Sequence, residues 1–199
     1  GVPGAMASAE SAMIGRDIAL ALDTGARVLF QHVSSAQSVA LIRAGKAMGA
    51  KIYAEVTPHH LSLTENDVPA HGTYARMNPP LRKEADRQAL IAALADGTID
   101  MVVTNPPYIP EAQIPEQPEV RDHDPKAALY GGSADGTLIP ERIVMRAAGL
   151  LRPGGVLVME HDISQGPRLV SFAQANGFGQ AHTGDDWTGR PRYLFAVRS

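Results

Sequence analysis

Apolar positions recur at two spacings along the chain, and the alternation between them predicts the architecture. The stretch "SAESAMIGRDIALALDTG" carries its apolar residues at helical spacing and stops at Gly25, a residue suited to closing a helix. "RVLFQHV", Arg27 to Val33, is a short apolar run of the kind that forms a buried strand. "SSAQSVALIRAGKAMGA" returns to helical spacing, with Ser34 or Ser35 as N-cap and a stop near Gly49. "KIYAEVT", Lys51 to Thr57, predicts a second strand, "KEADRQALIAALADGT" a helix, and "DMVVT" a third strand. "LIPERIVMRAAGLLRPGG" predicts a helix ending at Pro153-Gly154, "GVLVMEH" a fourth strand and "DISQGPRLVSFAQANGF" a helix. Two closing strands lie near Gln180 to Asp186 and Arg192 to Val197, joined through "WTGRP".

Strand and helix alternate until the final pair. The expected fold class is therefore α/β, a mainly parallel sheet flanked by helices and closed by an antiparallel hairpin. The whole is expected to be a single α/β domain, residues 1–199, built from two segments that meet near residue 100. Two long irregular connections interrupt the pattern, "PHHLSLTENDVPAHGTYARMNPPLR" and "NPPYIPEAQIPEQPEVRDHDPKAALYGGSADG". Both follow the carboxyl end of a strand, where α/β proteins build their sites.

Composition narrows the classes. At 44% hydrophobic and 20% charged, with a net charge of −3, the chain reads as an ordinary globular protein with no electrostatic reason to bind nucleic acid or an anionic membrane. No apolar run approaches the roughly 18 residues of a membrane-spanning helix. The first residues, "GVPGAMASAESAM", lack a basic region followed by an apolar one, so no secretory signal is expected. They also lack an initiator Met, so the sequence is expected to begin inside a longer parent. The absence of cysteine removes disulfides and thiolate metal sites and fits a cytoplasmic origin.

The chemistry concentrates in two places. Residues 100–199 carry "NPPY" at Asn105 to Tyr108, "EVRDHDPKAALYGGSADG" at Glu119 to Gly136, and "LLRPGGVLVMEHDISQG" at Leu150 to Gly166. Together these resemble the carboxyl-terminal half of the protein-(glutamine-N5) methyltransferases that modify peptide release factors. The resemblance implies that the Asn105 side-chain carbonyl and the Pro106 carbonyl accept the two N–H groups of a glutamine amide. It also implies that Tyr108 packs against that acceptor, a release-factor glutamine loop. A carboxamide nitrogen is a poor nucleophile, so such a pocket works by aiming it at a methyl donor and taking up charge. The donor in that family is S-adenosylmethionine, held by a Gly-x-Gly loop after an upstream strand. Residues 1–100 contain no such loop, so the cofactor-binding residues are unknown.

Residues 1–100 instead carry "HVSSAQSVALIRAGKAMGA" at His32 to Ala50, "AEVTPHHLSLT" at Ala54 to Thr64 and "MNPPLRKEADRQALIAALADGTID" at Met77 to Asp100. These resemble the carboxyl-terminal part of class I dihydroorotases, amidohydrolase barrels with two zinc ions at the carboxyl ends of their strands. The resemblance implies that His32 is a metal ligand and Asn78 a substrate contact, with Glu55, His59 and His60 in the motif of the next strand. Zinc wants about four donors, and the first five strands of such a barrel are missing from the text. Where the catalytic Asp of the eighth strand is due, the chain reads Asn105. The expectation is a chimera joined within Asp100 to Thr104, with incomplete sites from both parents and no turnover of its own. Two alternatives stand behind it: amide methylation through the NPPY motif, and metal-dependent amide hydrolysis. No bound cofactor is expected, since the sites for S-adenosylmethionine and for zinc are both incomplete. The unpaired strand edge of a partial barrel is expected to favour homo-oligomers.

Overall fold

A computed structural model describes residues 4–95 and 99–199. The chain forms two compact units, residues 1–95 and 96–199, each with its own core. The sequence reading treats the whole as one domain of two segments; the contacts group as two units, and each is built from βα steps.

In the first unit, helix α1 (Ala7–Thr24) leads into strand β1 (Val28–Phe30), helix α2 (Ala36–Ala47) and strand β2 (Ile52–Ala54). The two strands pair in parallel, with Val28 opposite Ile52 and Phe30 opposite Ala54. Gly25 closes α1 in the left-handed region, φ 70°, and its N–H donates to the Ala21 carbonyl at 2.9 Å. Ser35 caps α2, its hydroxyl accepting from the Ser38 N–H at 3.2 Å. The connection after β2 folds as short turns, α3 (Pro58–Ser62) and α4 (Val68–His71), before helix α5 (Glu84–Ala95). Ile14 and Ile18 of α1, Ile42 of α2, Phe30, Ile52 and Leu90 make the core.

The main polar tie of this unit is the Glu10 carboxylate. It accepts from the Ser34 N–H at 3.1 Å, the Ser35 N–H at 3.3 Å and the Ser38 hydroxyl at 2.5 Å, and from the Ser34 hydroxyl. Arg82 lies 3.7 Å away and donates to the Ser34 hydroxyl at 3.0 Å. A negative charge thus sits at the amino end of α2, where unpaired N–H groups and the helix dipole favour it. Burial alone would raise the Glu10 carboxyl. The Ser34 and Ser38 hydrogen bonds, with the Arg82 charge, outweigh it and hold the group below the usual carboxylate range.

In the second unit, strand β3 (Ile99–Thr104) is followed by the short helices α6 (Pro118–His123) and α7 (Lys126–Leu129) and by helix α8 (Leu138–Leu150). Strand β4 (Leu151–Glu160), helix α9 (Gly166–Ala175) and strands β5 (Phe178–Asp185) and β6 (Pro191–Arg198) complete it. The sheet order is β3-β4-β6-β5, with β3 parallel to β4 and both pairs involving β6 antiparallel. The α/β class and the closing hairpin are as expected. The parallel strands, however, are divided between two sheets, and β6 inserts between β4 and β5. Helix α8 starts at Leu138 as expected, with Pro140 in its first turn, where a missing N–H costs nothing. One element limit differs. Pro153-Gly154, read as a helix end, belongs instead to an extended β4, because pairing with β3 begins at Leu151.

Leu157 and Met159 of β4 and Leu194 and Ala196 of β6 bury one face of the sheet with Val144, Leu169 and Phe178. On the opposite face Val158 and Phe195 are half-buried, and the β3 positions are exposed. Met101 is 54% and Val103 69% exposed.

Replacing Glu10 by Gln removes the charge that the N–H and hydroxyl groups of Ser34 and Ser35, the Ser38 hydroxyl and Arg82 converge on. It should lower the stability of the first unit by about 2–4 kcal/mol, read as a drop in the urea midpoint at pH 7. Because the folded carboxyl lies below its unfolded value of 4.5, this contribution is complete above that pH and fades as the pH falls through the folded value. The difference between wild type and Glu10→Gln should therefore shrink in acid.

Candidate functional site

The second unit gathers polar side chains at one end of its sheet. Parallel pairing of β3 with β4 sets Thr104 opposite Met159, so Asn105 and Glu160 leave the sheet side by side. Antiparallel β6 enters at that same end, with Tyr193 opposite Glu160 and the His161 N–H bonded to the Arg192 carbonyl at 2.9 Å. A cavity of about 710 Å³ opens there, lined by Asn105, Glu160, Arg192 and Tyr193, with the hairpin residues Asp185 and Trp187 on its wall.

Asn105 is exposed, and its side chain forms no hydrogen bond among the described residues, so its carboxamide is free for a ligand. Pro106 is buried behind it. Tyr108 ties the Asn-Pro-Pro-Tyr turn to two residues of the cavity wall, Glu160 and Arg192. Its hydroxyl donates to Glu160 at 2.7 Å and accepts from Arg192 at 3.1 Å, while the guanidinium stands 5.4 Å from its ring centroid. Arg192 and Glu160 are also paired directly at 3.4 Å. Burial, then the Glu160 hydrogen bond, pushes the Tyr108 phenol up to about 12. Its proton is committed to the Glu160 carboxylate.

The turn is braced from behind. The Gln165 amide donates to the Tyr108 carbonyl at 2.8 Å and to the Asp135 carbonyl at 2.7 Å. Gly136 has φ 71°, and a Cβ there would overlap the Tyr108 carbonyl oxygen. The "GGSADG" loop therefore packs backbone to backbone against the "NPPY" turn. The anchors Glu160, Gln165 and Arg192 lie within stretches whose strand and helix character was legible, but nothing in the text aligns them with Tyr108. That alignment needs the strand order.

His161 follows Glu160 and is fully buried. Its Nδ1–H donates to the Asp162 carbonyl at 2.7 Å, so the bare Nε2 is the other ring nitrogen, and it has no partner among the described residues. Burial lowers the imidazole below its ordinary 6.5, partly opposed by the Asp162 carbonyl and by Asp162 and Glu160, and reinforced by Arg192.

In the first unit, His32 leaves β1 with φ 55°, a left-handed conformation uncommon for a non-glycine residue. Its Nδ1 lies 2.9 Å from Glu55 after β2. His59 and His60 sit on α3 with rings 4.4 Å apart. The His60 Nε2–H donates to the Pro79 carbonyl at 3.0 Å, so its Nδ1 accepts the Thr57 hydroxyl proton at 2.7 Å. The Thr57 oxygen then accepts from the His59 Nε2–H at 2.9 Å. His60 is thereby spent on anchoring the loop that carries Asn78, which is exposed. Among the described residues no three His, Asp or Glu side chains gather closely enough to hold a metal. His32 and Glu55 form a two-donor pair, and this set does not fit a zinc ion.

No protein-family model matches the chain. A 144-residue stretch is 60% identical to the release factor glutamine methyltransferase of Bifidobacterium longum (strain NCC 2705), covering 72% of this chain and 48% of that protein. A 105-residue stretch is 50% identical to the dihydroorotase of Clostridioides difficile (strain 630), covering 53% of this chain and 25% of that one. The dihydroorotase of Pelotomaculum thermopropionicum is 42% identical over 157 residues, 77% of this chain and 34% of its own length. The chain thus spans about half of the methyltransferase relative and a quarter to a third of the dihydroorotases. The shares exceed the chain when taken together, so the matched stretches overlap. Among solved structures, a D-hydantoinase is 28% identical over 46% of this chain and 21% of its own, with a TM-score of 0.44. The protein-(glutamine-N5) methyltransferase of Alicyclobacillus acidocaldarius is 15% identical over 96% of this chain and 92% of its own, with a TM-score of 0.34. Segments of the chain therefore match both a release factor glutamine methyltransferase and dihydroorotases, as a chimera of the two would. Among the described residues no helix is long and apolar enough to cross a membrane.

The buried histidine yields a pH prediction. The folded state holds fewer protons than the unfolded one below pH 6.5, so the stability carried by neutral His161 is complete above that value and is lost as the pH falls below it. His60, likewise lowered chiefly by burial, adds to the same slope. The urea midpoint should fall from pH 7 to pH 5, and His161→Leu should flatten part of that fall even where it lowers the midpoint itself.

Proposed function

We propose that the chain is a chimeric α/β protein whose second unit binds a primary carboxamide and which has no turnover of its own. The observation that carries this reading is the free Asn105 carboxamide at the cavity wall, on a turn locked by Tyr108, Glu160 and Arg192. A rigid acceptor is what amide recognition needs, since little ordering cost is left to offset on binding. In this reading the Asn105 carbonyl takes one N–H of the ligand and the Pro106 carbonyl the other. The glutamine loop of a peptide release factor is the partner that similarity to the methyltransferase relative suggests.

Turnover asks for more. Methylation needs a donor held in line with the amide nitrogen, and residues 1–100 contain no glycine-rich loop after a strand. Hydrolysis of a cyclic amide needs a metal-activated water, and the His32–Glu55 pair is too small a donor set. Binding the ground state alone does not accelerate a reaction. A second reading, S-adenosylmethionine-dependent methylation of a glutamine amide, is favoured by one observation. The cavity volume of about 710 Å³ lies within the range of small-molecule sites and exceeds what one side chain fills.

Calorimetry with acetyl-Gly-Gln-Gly-N-methylamide, in which the glutamine side chain is the one primary carboxamide, and with its Gln→Glu counterpart tests the proposal. The glutamine peptide should bind about tenfold more tightly, and Asn105→Ala should erase the difference. Equal binding of the two peptides overturns the amide reading. Methylation of the glutamine peptide in the presence of S-adenosylmethionine overturns the absence of turnover.

A further inference from the structure

The hairpin joining β5 to β6 holds a side chain for which the fold has no use. Trp187 is the only tryptophan in the chain, and it is fully exposed at the hairpin tip. The tip is rigid. Asp186 accepts from the Thr188 N–H at 2.8 Å, the Thr188 hydroxyl at 2.6 Å and the Arg190 N–H at 3.1 Å, and its own N–H donates to the Arg190 carbonyl at 2.8 Å. A large aromatic displayed on a locked turn, unpacked and beside a cavity, has the character of a binding anchor.

The charges around it are unequal. Arg190 is spent on Asp186 at 3.2 Å, and Arg192 on Glu160 and the Tyr108 hydroxyl. The carboxylate of Asp185, also on the cavity wall, has neither a hydrogen bond nor an ion pair among the described residues. Each cation near the hairpin is therefore matched, and one carboxylate beside the indole is not. An indole face next to an unmatched carboxylate is complementary to an organic cation: the ring quadrupole attracts it and the carboxylate neutralises it.

We propose that Trp187 and Asp185 form a subsite for the guanidinium or ammonium group of a basic residue, so that the cavity takes a peptide in which a basic side chain neighbours the amide held by Asn105. The subsite rests on the carboxamide reading only for the second half of that statement. It adds to it the ligand's charge and the place of that charge in the peptide.

Trp187 reports its own occupancy, because no other indole contributes to the emission. The probes are acetyl-Gln-Arg-N-methylamide and acetyl-Gln-citrulline-N-methylamide, which differ by the charge on an otherwise similar planar group. The arginine peptide should change Trp187 fluorescence and bind about fivefold more tightly. Asp185→Asn should erase that preference, and Trp187→Ala, followed by calorimetry, should do the same. Both side chains are exposed, and superimposable melts establish that the variants fold. Equal affinity of the two peptides for the wild type overturns the proposal, as does a preference that survives in Asp185→Asn. A third peptide, acetyl-Gly-Arg-N-methylamide, which has no primary carboxamide, separates the two readings. If it binds as tightly as the glutamine peptide while the preference over citrulline persists, the amide reading fails and the cation subsite stands.

Discussion

Parallel pairing of β3 with β4 decides where chemistry is possible in the second unit. Parallel strands end together, so the residues just past them, Asn105 and Glu160, emerge at one end of the sheet. Antiparallel β6 then enters at that end and brings Arg192 and Tyr193 to the same place. The Tyr108 hydroxyl closes the arrangement by joining the Asn-Pro-Pro-Tyr turn to Glu160 and Arg192. Once these are fixed, the close approach of Gly136 to the turn and the reach of Gln165 to the Tyr108 carbonyl follow as bracing. The pocket is thus a property of local strand order, and a segment that keeps the four strands keeps the pocket.

The first unit shows the opposite relation between fold and site. Its structural devices are contained within neighbouring βα steps: the Glu10 carboxylate at the head of α2, the Ser35 cap, the Gly25 stop and the His60 anchor on Pro79. Such devices persist wherever those steps persist. A zinc centre is different, because about four donors must converge, and barrels draw them from strands far apart in sequence. What the first unit shows is His32 in a left-handed conformation beside Glu55, a pair that has geometry but too few donors. Stability and site come apart here because one is local and the other is not.

The same distinction explains what could be read from the text. The Gly25 stop, a serine cap at Ser34 or Ser35 and the strand runs were legible because spacing and capping chemistry are local signals, and the structure selects Ser35. Asn105 was legible because its motif is contiguous, and the structure places its side chain on the cavity. The start of β4 was not, because Pro153-Gly154 reads locally as a helix stop and only the pairing of Leu151 with Ile99 makes it strand. The role of Glu10 depends on a helix 24 residues downstream. The tie from Tyr108 to Glu160 spans 52 residues, and that to Arg192 spans 84. Trp187 was visible only as a turn residue, since exposure at a hairpin tip is a fact of three dimensions.

The central claim is that an acceptor pocket persists here without a place for a methyl donor. Isothermal titration of the metal-stripped protein with S-adenosylmethionine tests it most directly, set beside a thermal melt with and without the ligand. The account predicts no heat of binding and no shift in a cooperative melt. Micromolar binding with a matching rise in melting temperature would contradict it, and would mean that the first unit serves as a cofactor platform.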